Sequence, residues 1–176
     1  MNATFLQRFK AFMIDYLVIA LYLVLIFILS MFLFPPLQQL FTGSLIVAQI
    51  SGFFLATLPV SLYFIISDSV IGKQSLGKRK IGIQVVDIHL KALSIKQMTF
   101  RTILKFLPWE MSHFLVYWLV NIGESEIPLH LYLLGGLIYV LIFTNILSAI
   151  FTKKKQSLYD IMTNSFVITK KEGKIT

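Results

Sequence analysis

Tyr16–Phe34 is a run of 19 residues without a single charge. As a helix rising ~1.5 Å per residue it would extend roughly 28 Å, about the thickness of a bilayer's hydrocarbon core. Two similar runs, Leu45–Ile66 and Leu129–Phe151, contain no Asp, Glu, Lys or Arg. A chain entering hydrocarbon must satisfy its backbone N–H and C=O groups internally, which commits such runs to helices. Composition agrees, since 57% apolar residues, 14% charged residues and a mean hydropathy of +0.80 lie outside the range of soluble domains.

Arg8 and Lys10 precede the first run, and Pro35-Pro36 ends it. A signal peptide also starts basic, but its apolar region is shorter and closes on small residues, so the expectation is a retained helix. In the second run Pro59 should kink the helix and free the carbonyl of Leu55. Ser94 followed by Gln97 suits a capping box, so a helix is predicted from Ile95, carrying Lys96, Arg101 and Lys105 along the membrane surface until Pro108 interrupts it. The apolar part, Phe106–Val120, is short and holds Glu110 and His113. A full crossing, a broken helix and a re-entrant segment all fit it. In the last run, Gly135-Gly136 suits close helix contact.

Charge placement decides between these options. Lys and Arg number 2 before the first run, 8 between Ser67 and Lys105, and 6 from Thr152 onward, while 35–44 and 121–128 hold none. Under the positive-inside rule this requires four crossings with both termini cytoplasmic. The sequon-like Asn2-Ala3-Thr4 then never meets the glycosylation machinery. The expected architecture is an all-α membrane protein of one domain, 1–176. Its four transmembrane helices lie at about 12–34, 45–66, 103–120 and 129–151, and its cytoplasmic segments at 67–102 and 152–176 carry a small β-hairpin or strand pair. The net charge of +8 flanks apolar runs. Lys73, Lys78, Arg79, Lys80, Lys153, Lys154 and Lys155 therefore form a patch for anionic lipid headgroups, and nucleic acid is not an expected partner. No cysteine is present, which excludes disulfides and thiolate metal sites.

Lys73-Gln74-Ser75-Leu76 returns as Lys155-Gln156-Ser157-Leu158, 82 residues later. At the same offset Val85 falls on Val167 and Val86 on Ile168. Each copy follows an outside-to-inside helix and leads into a β-branched stretch, Ile81–Val86 or Phe166–Thr169, long enough for a strand. The two strands could pair beneath the membrane, and the halves would be parallel repeats.

Arg8-Phe9-Lys10-Ala11-Phe12-Met13-Ile14-Asp15 resembles the opening Arg-x-x-Ala-x-x-x-Asp of the RDD family of small membrane proteins. Ser75-Leu76-Gly77-Lys78-Arg79-Lys80-Ile81-Gly82-Ile83-Gln84-Val85-Val86 is similar to the family's central motif, and Gln156-Ser157-Leu158-Tyr159-Asp160 to its closing Gln-Thr-Leu-His-Asp. The resemblance places the name-giving Arg and two Asp on Arg8, Asp15 and Asp160. Tyr159, Ile161 and Asn164 depart from the usual His, Arg and Gly. Some members are linked to sodium/proton exchange.

Other chemistries fit poorly. Gly72-Lys73-Gln74-Ser75-Leu76-Gly77-Lys78-Arg79 nearly spells a P-loop, but Arg79 stands where a hydroxyl should bind magnesium and a membrane helix precedes it. Glu110 and His113 share one helix face as in di-iron bundles, yet no second copy exists. No hydrolase context surrounds any Ser, His and Asp, so neither enzyme activity nor a cofactor or metal is expected. The better constellation is a polar layer in the inner leaflet. From the interface, Asp15 lies roughly 6 Å deep, Glu110 roughly 7.5 Å, Asn145 about 9 Å and the Pro59 kink about 10 Å. Arg8, two turns from Asp15, is in phase to dip toward a carboxylate. Arg8, Asp15, Glu110, His113, Asn145 and Asp160 are accordingly either an ion or proton pathway or a structural clasp. The corresponding functions are a proton-coupled transporter, which four helices accommodate best as a homodimer, or a membrane scaffold whose cytoplasmic hairpin docks a protein partner. The expected location is the plasma membrane of a bacterium.

Overall fold

The computed structural model describes residues 1–124 and 126–170, so the end of the basic C-terminal tail lies outside the described residues. Helix α1, Phe5–Ile28, runs on through a π turn at Leu29–Leu33. A short α2, Pro36–Thr42, follows. Helices α3, Leu45–Gly52, and α4, Leu58–Asp68, form one rod joined by a π turn, Phe53–Thr57. Next come α5, Leu76–Ile81, and strand β1, Ile83–Val86. The long α6, Ile95–Ile122, packs against α3, α4 and α7, the last spanning Leu129–Phe151. The chain closes on α8, Leu158–Met162, and strand β2, Phe166–Thr169.

Three helical rods, Phe5–Leu33, Leu45–Asp68 and Leu129–Phe151, are long and apolar enough to cross a membrane. Their outer faces are greasy: Leu17, Leu21, Phe32, Leu129 and Phe151 are between 62% and 77% exposed. Contiguous apolar surface on this scale suits lipid and not water. Helix α6 is equally long but carries Lys96, Arg101, Lys105 and Glu110.

Several local expectations change. Helix α1 begins at Phe5 instead of near 12, because Thr4 and Gln7 form a reciprocal capping box. Pro108 does not interrupt α6, which runs unbroken past it. In a helix packed on both sides, leaving the ladder would orphan more backbone groups than the proline itself does. Arg101 is not on the surface but only 3% exposed. At Pro59 the expected free carbonyl is present. The Leu55 carbonyl, deprived of its partner N–H, lies in the π turn and accepts from the Tyr22 hydroxyl at 2.8 Å. Of the Gly135-Gly136 pair, only Gly135 meets a neighbour, Leu115, while Gly136 faces open space.

At the end of the bundle carrying the basic residues, β1 and β2 pair antiparallel, with Val85 opposite Val167. Met1–Ala3 extend this sheet, Ala3 donating its N–H to the Val167 carbonyl. Ala3, Ala11, Ile83, Val85, Leu93, Met98 and Val167 form a small buried core there. The two Lys-Gln-Ser-Leu copies are built alike. Lys73 and Lys155 are both left-handed, with φ of 65° and 54°. Gln74 donates its amide to the Ile83 carbonyl nine residues on, and Gln156 does the same to Ser165, also nine on. Ser75 and Ser157 stand at the starts of α5 and α8. Both copies turn into their strand through another left-handed residue, Gly82 at 72° and Asn164 at 48°. Asn tolerates this region better than other non-glycine residues, which explains the departure at 164. Val85 and Val167 are equivalent positions lying opposite each other, so the local twofold passes between them.

Helix α5 lies against α1 so closely that a β-carbon on Gly77 would run into the Ala11 carbonyl and come within 2.9 Å of Asp15 Cγ. Gly77→Ala should therefore cost about 1–3 kcal/mol through overpacking. Gly136→Ala should be neutral or stabilising, since a helical glycine costs up to about 1 kcal/mol relative to alanine. Thermal unfolding in detergent, read as Tm, checks both; equal Tm values would contradict the close α1–α5 contact.

Candidate functional site

Three carboxylates with essentially no exposed surface, Asp15, Asp68 and Asp160, sit at the strand end of the bundle. Each is satisfied by a different set of donors. Asp160 opens α8, where it forms a capping box with Ser157. Its Oδ2 accepts from Arg8 Nη1, and its Oδ1 accepts from Arg101 Nε at 2.9 Å and Nη2 at 2.7 Å. Burial alone would raise the Asp160 pKa, but the adjacent Arg101 and Arg8 charges and their hydrogen bonds outweigh it and hold the carboxyl below its usual range.

Asp15 is not Arg8's partner. Its carboxylate takes the Gly77 N–H at 2.7 Å, the Ser75 hydroxyl at 2.7 Å and the Tyr63 hydroxyl at 2.8 Å. It thus satisfies the first turn of α5, where free N–H groups and the helix dipole favour an anion. Asp68 takes the Ser75 N–H at 2.9 Å and Lys78 Nζ at 2.7 Å. Lys78 therefore turns inward, away from any headgroup patch. Lys73, Arg79, Lys80, Lys153 and Lys154 are exposed, while Lys155 Nζ bonds the Ile150 carbonyl at 2.6 Å near the end of α7.

The polar layer is thus divided. Glu110 belongs to a second group, with no hydrogen bond to the first among the described residues. Its Oε1 accepts from Gln49 Nε2 at 2.7 Å and its Oε2 from Thr57 Oγ1 at 2.6 Å. His113 Nδ1 lies 3.8 Å from Oε2. Thr57 stands in the π turn before Pro59, so the proline that disrupts the helix also turns this hydroxyl toward α6. His113 also lines a cavity of about 660 Å³ bounded by α1, α2, the α3–α4 rod and α6. Asn145 stands apart: its amide donates to Leu141 and its Oδ1 is buried without a partner. No group of three His, Asp or Glu side chains able to hold a metal occurs among the described residues.

Tyr63, Gln49 and Thr57 carry no signal in the sequence pattern that marks them for this site, while Arg101 and Ser75 read only as a surface cation and a repeat position. For Asp68, which the pattern does not single out either, a signal exists, because an acidic residue at a helix C-terminus opposes the dipole and calls for a cation. For Arg101 the run Lys96–Lys105 reads as a solvated face, and only packing shows that Arg101, and Lys105 with it, has turned inward.

Fold and site define a helical membrane protein closed at one end by a buried ion-pair clasp. The chain belongs to the RDD family, whose model matches residues 2–164. No curated protein and no solved structure matches it. Two of the three residues carrying the family's signature, Arg8 and Asp160, are ion-paired to each other, and the third, Asp15, fastens α5 to α1.

Asp160→Asn leaves Arg8 and Arg101 without their counter-charge and should cost roughly 3–5 kcal/mol in detergent unfolding. Arg101→Gln should cost more than Arg8→Gln, since Arg101 supplies two of the three guanidinium bonds to Asp160. With its pKa lowered by folding, Asp160 contributes stability that is complete above the ordinary carboxyl range and lost as pH falls through the folded value. Wild type should therefore lose stability on acidification below about pH 4, and Asp160→Asn should lose less over the same interval. Parallel pH profiles would remove the clasp as the acid-sensitive element.

Proposed function

We propose that this RDD protein crosses the membrane four times, with both termini cytoplasmic, and exchanges a proton for a small monovalent cation at Glu110 and His113. The topology is supported by the basic residues, which cluster beside the strand end and are absent from 35–44 and 121–128. Helix α6, at 28 residues, is long enough to be the fourth span, with its cations at the cytoplasmic end. Cysteines at Gly43 and Glu124 should be labelled by an impermeant maleimide from outside, and those at Lys91 and Lys154 only after permeabilisation. Outside labelling at Lys154 would leave an odd number of crossings and end this topology.

The observation carrying the exchange reading is that Glu110, midway along α6, is held by neutral donors and an imidazole instead of Arg or Lys. Amide and hydroxyl partners can donate to a carboxylate or, by rotating, accept from a carboxylic acid. Glu110 can then release a proton as a cation takes its oxygens, with His113 beside the cavity as relay. Asp15, Asp68 and Asp160 serve architecture in this scheme, each being fully buried and bonded to at least one backbone N–H, of Gly77, Ser75 and Ser157 respectively, which Glu110 is not. In proteoliposomes, a Na⁺ or K⁺ gradient should drive proton movement, and Glu110→Gln should abolish it while leaving Tm within a few degrees. Wild-type protein moving no protons under either gradient would sink this reading. A regulator binding a protein partner is favoured by one observation, that Ile88 and Leu90 are 61% and 68% exposed at the Asp87–Lys91 turn, outside the three long apolar rods in sequence.

A further inference from the structure

A second cavity, of about 440 Å³, opens beside the clasp between α1 and α7. Arg8, Lys78, Arg101 and Lys105 all line it. Three of these cations have a carboxylate: Asp160 serves Arg8 and Arg101, and Asp68 serves Lys78. Lys105 makes no hydrogen bond or ion pair among the described residues. Its ammonium is held instead by aromatic faces, 3.7 Å from the Phe64 ring centroid, 5.1 Å from Phe106 and 5.8 Å from Phe12. Arg8 spends only Nη1 on Asp160, while its Nε and Nη2 are buried without a partner. Buried donors left unmade are costly, and charged ones more so. One unpaired ammonium and one half-spent guanidinium thus line one cavity, whose carboxylate, Asp15, is taken up by Gly77, Ser75 and Tyr63. The complementary ligand is an anion with several acceptor oxygens, the chemistry of a phosphate group.

The rest of the lining says what that phosphate is attached to. Phe9, Phe12, Ile142 and Ile146 make the cavity wall apolar, and an adjoining cavity of about 300 Å³ shares Phe12, Lys105, Ile142 and Ile146 and continues to Trp109. Free phosphate has no use for such walls, whereas an acyl chain does. We propose that this crevice binds an anionic phospholipid, its phosphate between Lys105 and the free edge of Arg8 and an acyl chain along α7 toward Trp109. The site differs from a surface patch of lysines: it is a built cleft taking one lipid. It stands independently of proton exchange at Glu110.

The test uses full-length protein in neutral detergent. Phosphatidylglycerol should raise Tm, phosphatidylcholine and inorganic phosphate should not, and Lys105→Met should weaken the apparent phosphatidylglycerol affinity about tenfold. Lys105→Met without lipid should fold normally, because it removes a charge lacking a carboxylate. An Arg79→Gln, Lys80→Gln double variant should keep the wild-type response. An unchanged response in Lys105→Met, or loss of it in the double variant, would move binding to the exposed patch and overturn the site. A rise with inorganic phosphate that phosphatidylglycerol does not exceed would make the ligand a free anion and overturn the lipid. A second measurement leaves Lys105 in place: in Trp118→Phe protein, phosphatidylglycerol with brominated acyl chains should quench Trp109 at a lower mole fraction than brominated phosphatidylcholine. Equal quenching by the two would also overturn the proposal.

Discussion

Asp160 joins parts of the chain that share no sequence neighbourhood. Arg8 reaches it across 152 residues and Arg101 across 59, so the first helix, the central helix and the closing turn meet at one carboxylate. None of these groups tolerates burial alone. Removing any one leaves a charge with no water to retreat to, which is why a buried pair is more sensitive to breaking than its net contribution suggests. Asp15 and Asp68 repeat the logic with softer partners, both converging on Ser75 and so fixing α5 beneath α1 and α4. This polar end replaces the large apolar core of a soluble domain. Only a handful of aliphatic side chains are buried there, while most apolar surface is turned outward.

The repeated turn gives this end its symmetry. Two Lys-Gln-Ser-Leu turns place a left-handed residue, a glutamine crosslink and a serine start in the same order and deliver two strands to each other. The charges are not duplicated with the backbone. At the start of α5 the anion comes from another helix, as Asp15, whereas at the start of α8 it is local, as Asp160. A repeated scaffold thus carries two different ways of satisfying a helix N-terminus, and the second is the one that recruits arginines.

Family signature and candidate chemistry part company for the same reason. Arg8, Asp15 and Asp160 are spent on holding helices together, Asp160 by two guanidinium groups and Asp15 by the Gly77 N–H and two hydroxyls. Glu110 lies outside the signature motifs and keeps adaptable neighbours, one of them Thr57 in the π turn that precedes Pro59 on the facing rod. Lys105, one turn from Arg101, has escaped the clasp altogether and rests on aromatic rings. A binding function is carried most readily by groups that architecture has left unspent.

Much of this was written locally. Apolar runs bounded by Pro35-Pro36 and by basic clusters mark the long helices, because hydrocarbon demands internally bonded backbone whatever the tertiary arrangement. Ser94 marks the start of α6, Pro59 the free Leu55 carbonyl, and the repeat at offset 82 both strands, since each depends on residues close in sequence or on alternation alone; that Val85 lies opposite Val167 is decided by packing. Partner choice among charges was not legible in the same way. Arg8 lies as well in phase with Asp15 as any residue on α1, yet it bonds Asp160, and Lys78 reads as one more surface cation until Asp68 is beside it. Arg101 and Lys105 look alike on the helix, but one is enclosed by a carboxylate and the other by phenylalanines. Coulombic and hydrogen-bond energies depend on separations of a few ångströms between segments 10 to 152 residues apart, and those separations exist only once the helices have packed.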